Sequence, residues 1–174
     1  MERLETEILL EAKTFGVSRS RYRRASGELV ERELVEHPGS VGILAHDDDV
    51  VYLVRQPREA IGEDACLEIP AGTRDRGGEA ELDCAKRELS EEVGLAADHW
   101  AVLQTVHPSP GFLDERVTVF EATGLAEASA EPDEDEQIEV VRLPLAEIGE
   151  ALHGISDAKT LVALLLLQRR LSRA

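Results

Sequence analysis

The stretch Glu79–Leu95, EAELDCAKRELSEEVGL, preceded by the turn Ile69-Pro70-Ala71-Gly72, decides how the rest of the chain is read. On a helix advancing about 100° per residue, Ala85, Leu89 and Val93 fall within about 60° of Leu82, a narrow apolar stripe that faces a core. Glu88 and Glu92 are four residues apart and project side by side, with Glu91 next to Glu92 and one turn from Glu88. Like charges at this spacing cost a few tenths of a kcal/mol each, and the end of a helix prefers cations. Two carboxylates about 5 Å apart at an effective dielectric of about 20 repel by roughly 3 kcal/mol, so the cluster calls for positive charge. Mg²⁺ suits it, since that ion takes oxygen ligands, keeps several waters and is held by one or two carboxylates plus substrate phosphates. Arg87 can pair with a neighbouring glutamate and orient it, and Gly94 ends the helix. A solvated acidic face on an acidic protein accounts for the same three glutamates without chemistry, and these residues alone leave both readings open.

From Glu79 onward the stretch resembles the second part of the Nudix hydrolase signature: a glutamate, seven residues, then Arg-Glu-apolar-x-Glu-Glu-x-Gly-apolar. Gly72 is separated from Glu79 by Thr-Arg-Asp-Arg-Gly-Gly, one residue more than the signature allows. The extra residue falls in a Gly-rich loop, where insertions are tolerated, so the helix register is unaffected. The resemblance covers about residues 37 to 172 and implies an α/β fold: a Nudix-type α/β/α sandwich on a mixed sheet, here preceded by a small N-terminal antiparallel sheet. We divide the chain into N-terminal strands over 1–38, expected to dimerise, and a catalytic domain over 39–174. Glu88 and Glu92 are the metal ligands that the resemblance implies, with Mg²⁺ as cofactor and Mn²⁺ as a substitute.

With 174 residues and 43% apolar content, the chain can build one substantial core. A formal net charge of −17 argues against nucleic acid or an anionic membrane as partner, because both need a basic surface. Positive charge is carried almost wholly by arginine, the lysines being Lys13, Lys86 and Lys159. This balance fits a salt-adapted source and a GC-rich genome equally. Cys66 and Cys84 have neither metal-ligand nor CxxC spacing and read as free thiols of a reducing compartment. With no basic, apolar leader at Met1–Glu7 and no apolar run long enough to span a bilayer, the expected location is the cytoplasm.

Along the chain, residues 1–10, 18–24 and 29–36 read as strands of the small sheet. Arg19, Arg21, Arg23 and Arg24 around Tyr22 form a basic patch, read equally as edge-strand charge or as an anion site. Val41–Ala45 and Val50–Val54 form an apolar hairpin around Asp47-Asp48-Asp49. Arg55 and Arg58 follow it at the strand end, placed for bidentate phosphate contact, with Arg58 preferred as the diphosphate ligand. Cys66–Ile69 is a short strand delivering Pro70-Ala71-Gly72, a turn that places the Ala71 carbonyl as a further metal ligand. Trp100–Val106 and Arg116–Ala122 are strands; Pro144–Ile148 starts a short helix. Ser156 or Asp157 caps a last helix whose Leu161, Leu164, Leu165 and Leu171 close the core.

The loop His107–Glu115, HPSPGFLDE, resembles the Ser-Pro-Gly segment of the ADP-ribose pyrophosphatase group, which has a proline sixteen positions after the last glycine of the signature, here Pro110. That resemblance makes Pro110, Gly111 and Glu115 candidate substrate contacts, with Glu115 on the terminal ribose. His107, a lone loop histidine, reads as solvated. The acidic run Glu127–Glu139 resembles the family's mobile loop, which implies Glu134 as general base, Glu91 as the alternate, and Glu136 as a further metal ligand. Dimers in this group clamp adenine with N-terminal strands, for which Phe15 and Tyr22 are the aromatic candidates.

The expected activity is therefore Mg²⁺-dependent hydrolysis of the diphosphate of ADP-ribose to AMP and ribose 5-phosphate by a cytoplasmic homodimer. The alternatives are another nucleoside diphosphate derivative, a nucleotide-sugar or dinucleotide, as substrate, or a non-catalytic nucleotide sensor. Intact Glu88, Glu91 and Glu92 argue against the sensor, and the absence of EF-hand spacing argues against a calcium-binding module.

Overall fold

The computed structural model describes residues 1–128 and 137–173. It contains two compact units: Met1–Gly39 with His107–Arg116, and Ser40–Val106 with Val117–Ala174.

The first unit is a three-stranded antiparallel sheet in the order β1 (Glu2–Glu11), β2 (Gly16–Arg23), β3 (Leu29–Glu36). The loop His107–Arg116 joins it through the backbone: the Val35 N–H donates to Phe112 O at 2.7 Å, and the Asp114 N–H to Val35 O at 3.1 Å. Strand periodicity separates two polar faces. On one, Arg3 lies over the buried Ser18 and Ser20, donating to Ser20 Oγ at 2.9 Å and to Glu36 at 2.5 Å. The hydrogen bonds from Arg3 and then Ser18 hold the Glu36 carboxyl below the usual glutamate range. On the other face the three arginines of β2, Arg19, Arg21 and Arg23, each meet a carboxylate across the sheet. Arg19 pairs with Glu33 at 2.9 Å and Glu7 at 3.3 Å, Arg21 with Glu5 at 3.2 Å and Arg23 with Glu2 at 2.9 Å. Arg24 pairs with Glu28 in the following turn at 2.9 Å. The patch is thus electrically matched within its own unit, which disfavours an anion site; it is not edge-strand charge either, because β2 is the middle strand and its arginines pair with acids of the strands on either side. β1 is exposed along its whole length, including Leu4, Ile8, Leu9 and Leu10.

The second unit is a mixed sheet. Its main strands are β4 (Ser40–His46), β5 (Val50–Arg58), β8 (Leu95–Val106), β9 (Val117–Glu127) and β10 (Glu139–Pro144), in the order β10-β5-β4-β9-β8. β6 (Glu63–Glu68) pairs with β5, and β7 (Ala71–Thr73) with β4. The β4–β9 pair is parallel and the other pairings are antiparallel. Alternation in the central strands sends side chains to both faces. Val41, Ile43, Ala45 and Tyr52 pack with Cys84, Ala85 and Leu89 of α1 (Glu81–Val93). Leu44, Val51 and Leu53 pack with Ile148 of α2 (Ile148–Ala151) and with Ala163, Leu164 and Leu167 of α3 (Ala158–Leu171). Helix on both faces of a mixed sheet is the expected α/β/α sandwich.

Two expectations are corrected in detail, and of two candidate caps one is found. β8 begins at Leu95, straight after the helix stop, and β9 runs on to Glu127, because the two strands pair over nearly their full length. The core face of α3 is Thr160, Ala163, Leu164 and Leu167, whereas Leu165 and Leu171 are exposed. Asp157, not Ser156, caps α3, its carboxylate accepting the Thr160 N–H at 2.9 Å. Among the described residues no helix is long and apolar enough to cross a membrane.

Candidate active site

The site is built on α1. Leu82, Ala85, Leu89 and Val93 all pack into the core beneath it, as the stripe predicts, and this fixes which way the helix is rolled. Gly94 ends it in the left-handed region at φ 73°, its N–H returning to Leu89 O and Ser90 O. The roll turns Glu88 and Glu92 toward the turn that leads into β7. The Glu92 carboxylate is buried and accepts the Ala71 N–H at 2.9 Å. Glu88 lies against Gly72, where any Cβ would collide with Oε1, Cδ and Cγ of its side chain. A side chain at position 72 would displace that carboxylate.

The turn is held by β4 and by α3. Pro70 O accepts the Ile43 N–H at 2.8 Å, and Thr160 Oγ1, wholly buried on α3, accepts the Ile69 N–H at 2.8 Å. Arg87 ties the acids together. Its Nε and Nη2 reach the two oxygens of Glu79 at 3.1 and 3.2 Å, and its Nη1 meets Glu88 at 2.6 Å and Glu91 at 2.8 Å. Burial pulls the Arg87 pKa down, but hydrogen bonds to Glu79 and Glu91 outweigh it and raise the net value. The same Arg87 contact lowers the Glu79 pKa. Burial pushes the neighbouring Cys84 thiol up to about 12, which keeps it unreactive at neutral pH.

Arg58 forms a fork on Glu68, with Nε to Oε1 at 2.5 Å and Nη2 to Oε2 at 2.9 Å, and Lys159 also donates to Glu68. Arg55 pairs with Glu139 across β5 and β10 at 3.0 Å. Glu91 also receives Arg76 at 3.5 Å.

In the first unit, Pro110 and Gly111 are exposed. Glu115 is 3.7 Å from His37 Nδ1, and its backbone oxygen accepts from His107 Nδ1 at 2.9 Å. His107 therefore carries a structural contact that its isolated position in the sequence did not suggest. Glu134 and Glu136 lie outside the described residues.

The second unit thus brings together Ala71, Glu88, Glu91 and Glu92 around one helix and turn. Three participants escape a sequence reading: Glu68, Lys159 and Thr160. A signal existed for the first, a charged residue in step with the buried Cys66 of β6, immediately before the Ile-Pro-Ala-Gly turn. The other two sit about ninety residues away in sequence, and only the fold brings them to Glu68 and Ile69.

Among the described residues no group of three or more His, Cys, Asp or Glu side chains is arranged to hold a metal ion. The pair Glu88 and Glu92 nonetheless supplies the hard oxygen donors that Mg²⁺ takes, in the small number it takes from protein. The space kept open by Gly72 belongs to one of them.

A family model described as NUDIX domain matches residues 36–165. The ADP-ribose pyrophosphatase of Mycobacterium tuberculosis is 38% identical over 169 residues, spanning 92% of this chain and 81% of that protein. The ADP-ribose pyrophosphatase of Bacillus subtilis is 39% identical over 148 residues, spanning 82% of this chain and 79% of that protein. Among solved structures, the crystal structure of an ADP compounds hydrolase matches with a TM-score of 0.83 at 26% identity, covering 99% of this chain and 96% of that one.

Proposed function

The chain belongs to the Nudix family, and on that premise we propose that it is a pyrophosphatase that hydrolyses the diphosphate of ADP-ribose to AMP and ribose 5-phosphate. The observation that carries this reading is the convergence of Glu88 and Glu92 on the Ala71-Gly72 turn, where the Glu88 carboxylate fills the space that a Cβ on Gly72 would need. Glu88 and Glu92, with the Ala71 carbonyl and Glu136, would hold Mg²⁺, with Mn²⁺ as substitute. A divalent ion held there would supply charge neutralisation for the diphosphate and a water of lowered pKa. Arg87 holds Glu79, Glu88 and Glu91 in one orientation. Glu134 is proposed to take the proton of the attacking water, with Glu91 as alternate, and Arg58 with Arg55 beside it to position the diphosphate, since phosphoanhydride cleavage depends mainly on placement and charge stabilisation. Pro110, Gly111 and Glu115 remain candidate substrate contacts on the strength of the family resemblance.

The exposed apolar side chains of β1 support a homodimer in which a second copy covers that strand. Buried free thiols at Cys66 and Cys84 support a reducing, cytoplasmic location, and the net charge of −17 argues against nucleic acid as partner.

The test is incubation with ADP-ribose and Mg²⁺, the wild type beside Glu92→Gln, with AMP and ribose 5-phosphate quantified. Product from the wild type and loss of at least about a hundredfold in Glu92→Gln is the expected outcome. No AMP from the wild type removes the substrate assignment, and equal rates remove the role of Glu92. Parallel assays with a nucleotide-sugar and a dinucleotide rank the alternatives.

A further inference from the structure

Among the described residues two carboxylates are buried, Glu92 and Glu68. Glu92 belongs to the helix pair discussed above; Glu68, at the end of β6 and 2% exposed, is outside the metal set. Burying a carboxylate is costly unless cations and hydrogen-bond donors meet it. Here the donors come from two elements. Arg58 of β5 offers its fork, and Lys159 of α3 donates to Glu68 and, at 3.0 Å, to Asp157 Oδ1. Asp157 caps α3 by accepting the N–H and the hydroxyl of Thr160, and that hydroxyl oxygen accepts the Ile69 N–H at 2.8 Å. The start of α3 therefore grips Glu68 by its side chain and the next residue by its amide.

A guanidinium held by one hydrogen bond can still swing; held by two parallel bonds, its plane and direction are set. Nε and Nη2 of Arg58 are so held, on a side chain that is still 41% exposed. Lys159 shares the charge of Glu68, so Arg58 is only partly neutralised. Glu92 of α1 lies within electrostatic range of Arg58.

We propose that Glu68 is a positioning residue for the diphosphate site: its carboxylate, steadied by Lys159 of α3, sets the direction in which Arg58 presents its guanidinium. The idea rests on Arg58 being a diphosphate ligand. It assigns to the start of α3 a part in substrate binding that its distance in sequence conceals.

A double-mutant cycle tests it. Affinity for inorganic pyrophosphate with Mg²⁺ is measured by calorimetry for the wild type, Arg58→Ala, Glu68→Gln and the double variant, with KM and kcat for ADP-ribose alongside. Glu68→Asp is added because it keeps a negative charge beside Lys159 while shortening the reach to Arg58, and melting temperatures check that each variant folds. Glu68→Gln and Glu68→Asp are each expected to weaken pyrophosphate binding about tenfold and to raise KM similarly, with kcat within about threefold. In the Arg58→Ala background the further loss should be under about twofold, because a residue that acts through Arg58 has nothing left to position. Lys159→Met should follow Glu68→Gln, and Lys159→Arg should restore most of the affinity. Equal losses on both backgrounds, or unchanged affinity in Arg58→Ala, would overturn the proposal. A wild type that binds pyrophosphate with this coupling but leaves ADP-ribose intact would instead refute the substrate assignment alone.

Discussion

Glu88 occupies the space that a side chain on Gly72 would need: a Cβ there would collide with Oε1, Cδ and Cγ of the glutamate. The backbone itself does not demand glycine, since Gly72 is not among the glycines with positive φ. The requirement is for room beside a carboxylate. Gly72→Ala therefore isolates the placement of Glu88 without removing it. The hydrolysis rate should fall about a hundredfold, and the Mg²⁺ concentration for half-maximal activity should rise about tenfold. Melting should shift little, because Glu88 can swing toward solvent. A Mg²⁺ titration of activity indistinguishable from wild type would show that Glu88 need not sit where the structure puts it.

Arg87 pairs with Glu79, Glu88 and Glu91, and Arg76 also reaches Glu91. Removing it takes away the cation that these three acids share. Arg87→Ala should lower stability by about 2 kcal/mol, between the cost of breaking an exposed pair and a buried one. Arg87→Lys should recover less than half of that, since an ammonium cannot fork onto Glu79 while also reaching Glu91. Urea unfolding of the three proteins measures both differences.

The local parts of this arrangement were legible in the sequence, and the non-local parts were not. Spacing alone locates the α1 stripe, the Glu88–Glu92 pair and the stop at Gly94, because each depends on residues within one or two helical turns. Asp157 is one of the two caps that the sequence offers, for the same local reason. Arg58 was visible as an arginine at a strand end, but its Glu68 partner comes from β6 pairing and its third member, Lys159, from α3 packing. Leu165 and Leu171 misled because a leucine-rich helix offers more apolar residues than one face can bury, and the face chosen, with Thr160 and Ala163, is set by the turn it must grip. The arginine patch was ambiguous until β1 and β3 supplied acids opposite it.

Thr160→Val keeps the volume of a wholly buried side chain and removes the acceptor for the Ile69 N–H. A buried amide without a partner costs about 1 to 3 kcal/mol. The expected result is a lower urea midpoint with an unchanged slope, together with a loss of activity larger than the stability change explains, because the same bond holds the Ile69–Gly72 turn beside Glu92. Full activity in a destabilised protein would limit Thr160 to a packing role.

Glu68 gives the chain a pH dependence of stability with a definite sign. Burial would raise its pKa, but the hydrogen bonds from Arg58 and the charge of Lys159 outweigh that and hold it at about 2, against an ordinary value of 4.5. A folded-state pKa below the unfolded one stabilises above the unfolded value and is lost as pH falls toward the folded one. The shift corresponds to roughly 3 kcal/mol, present at neutral pH and disappearing between about pH 4.5 and 2. The stability gap between wild type and Glu68→Gln, measured by urea unfolding, should be widest near pH 7 and narrow progressively below pH 4.5. A gap that stays constant to pH 3 would mean that Glu68 is not held ionised by its partners.

β1 offers the last prediction. Every residue of this edge strand is exposed, and Leu4, Ile8, Leu9 and Leu10 present apolar surface that a lone sheet edge would normally blunt with charge or a proline. In the proposed homodimer a second copy covers it. Ile8→Lys with Leu10→Lys places like charges on that surface in both copies and should convert a dimer at micromolar concentration into a monomer, read by light scattering after size exclusion. The Mg²⁺ dependence of whatever hydrolysis remains should be unchanged, because Glu88 and Glu92 lie in the other unit. A wild type that elutes as a monomer would remove the dimer, and a double variant that stays dimeric would move the interface away from β1.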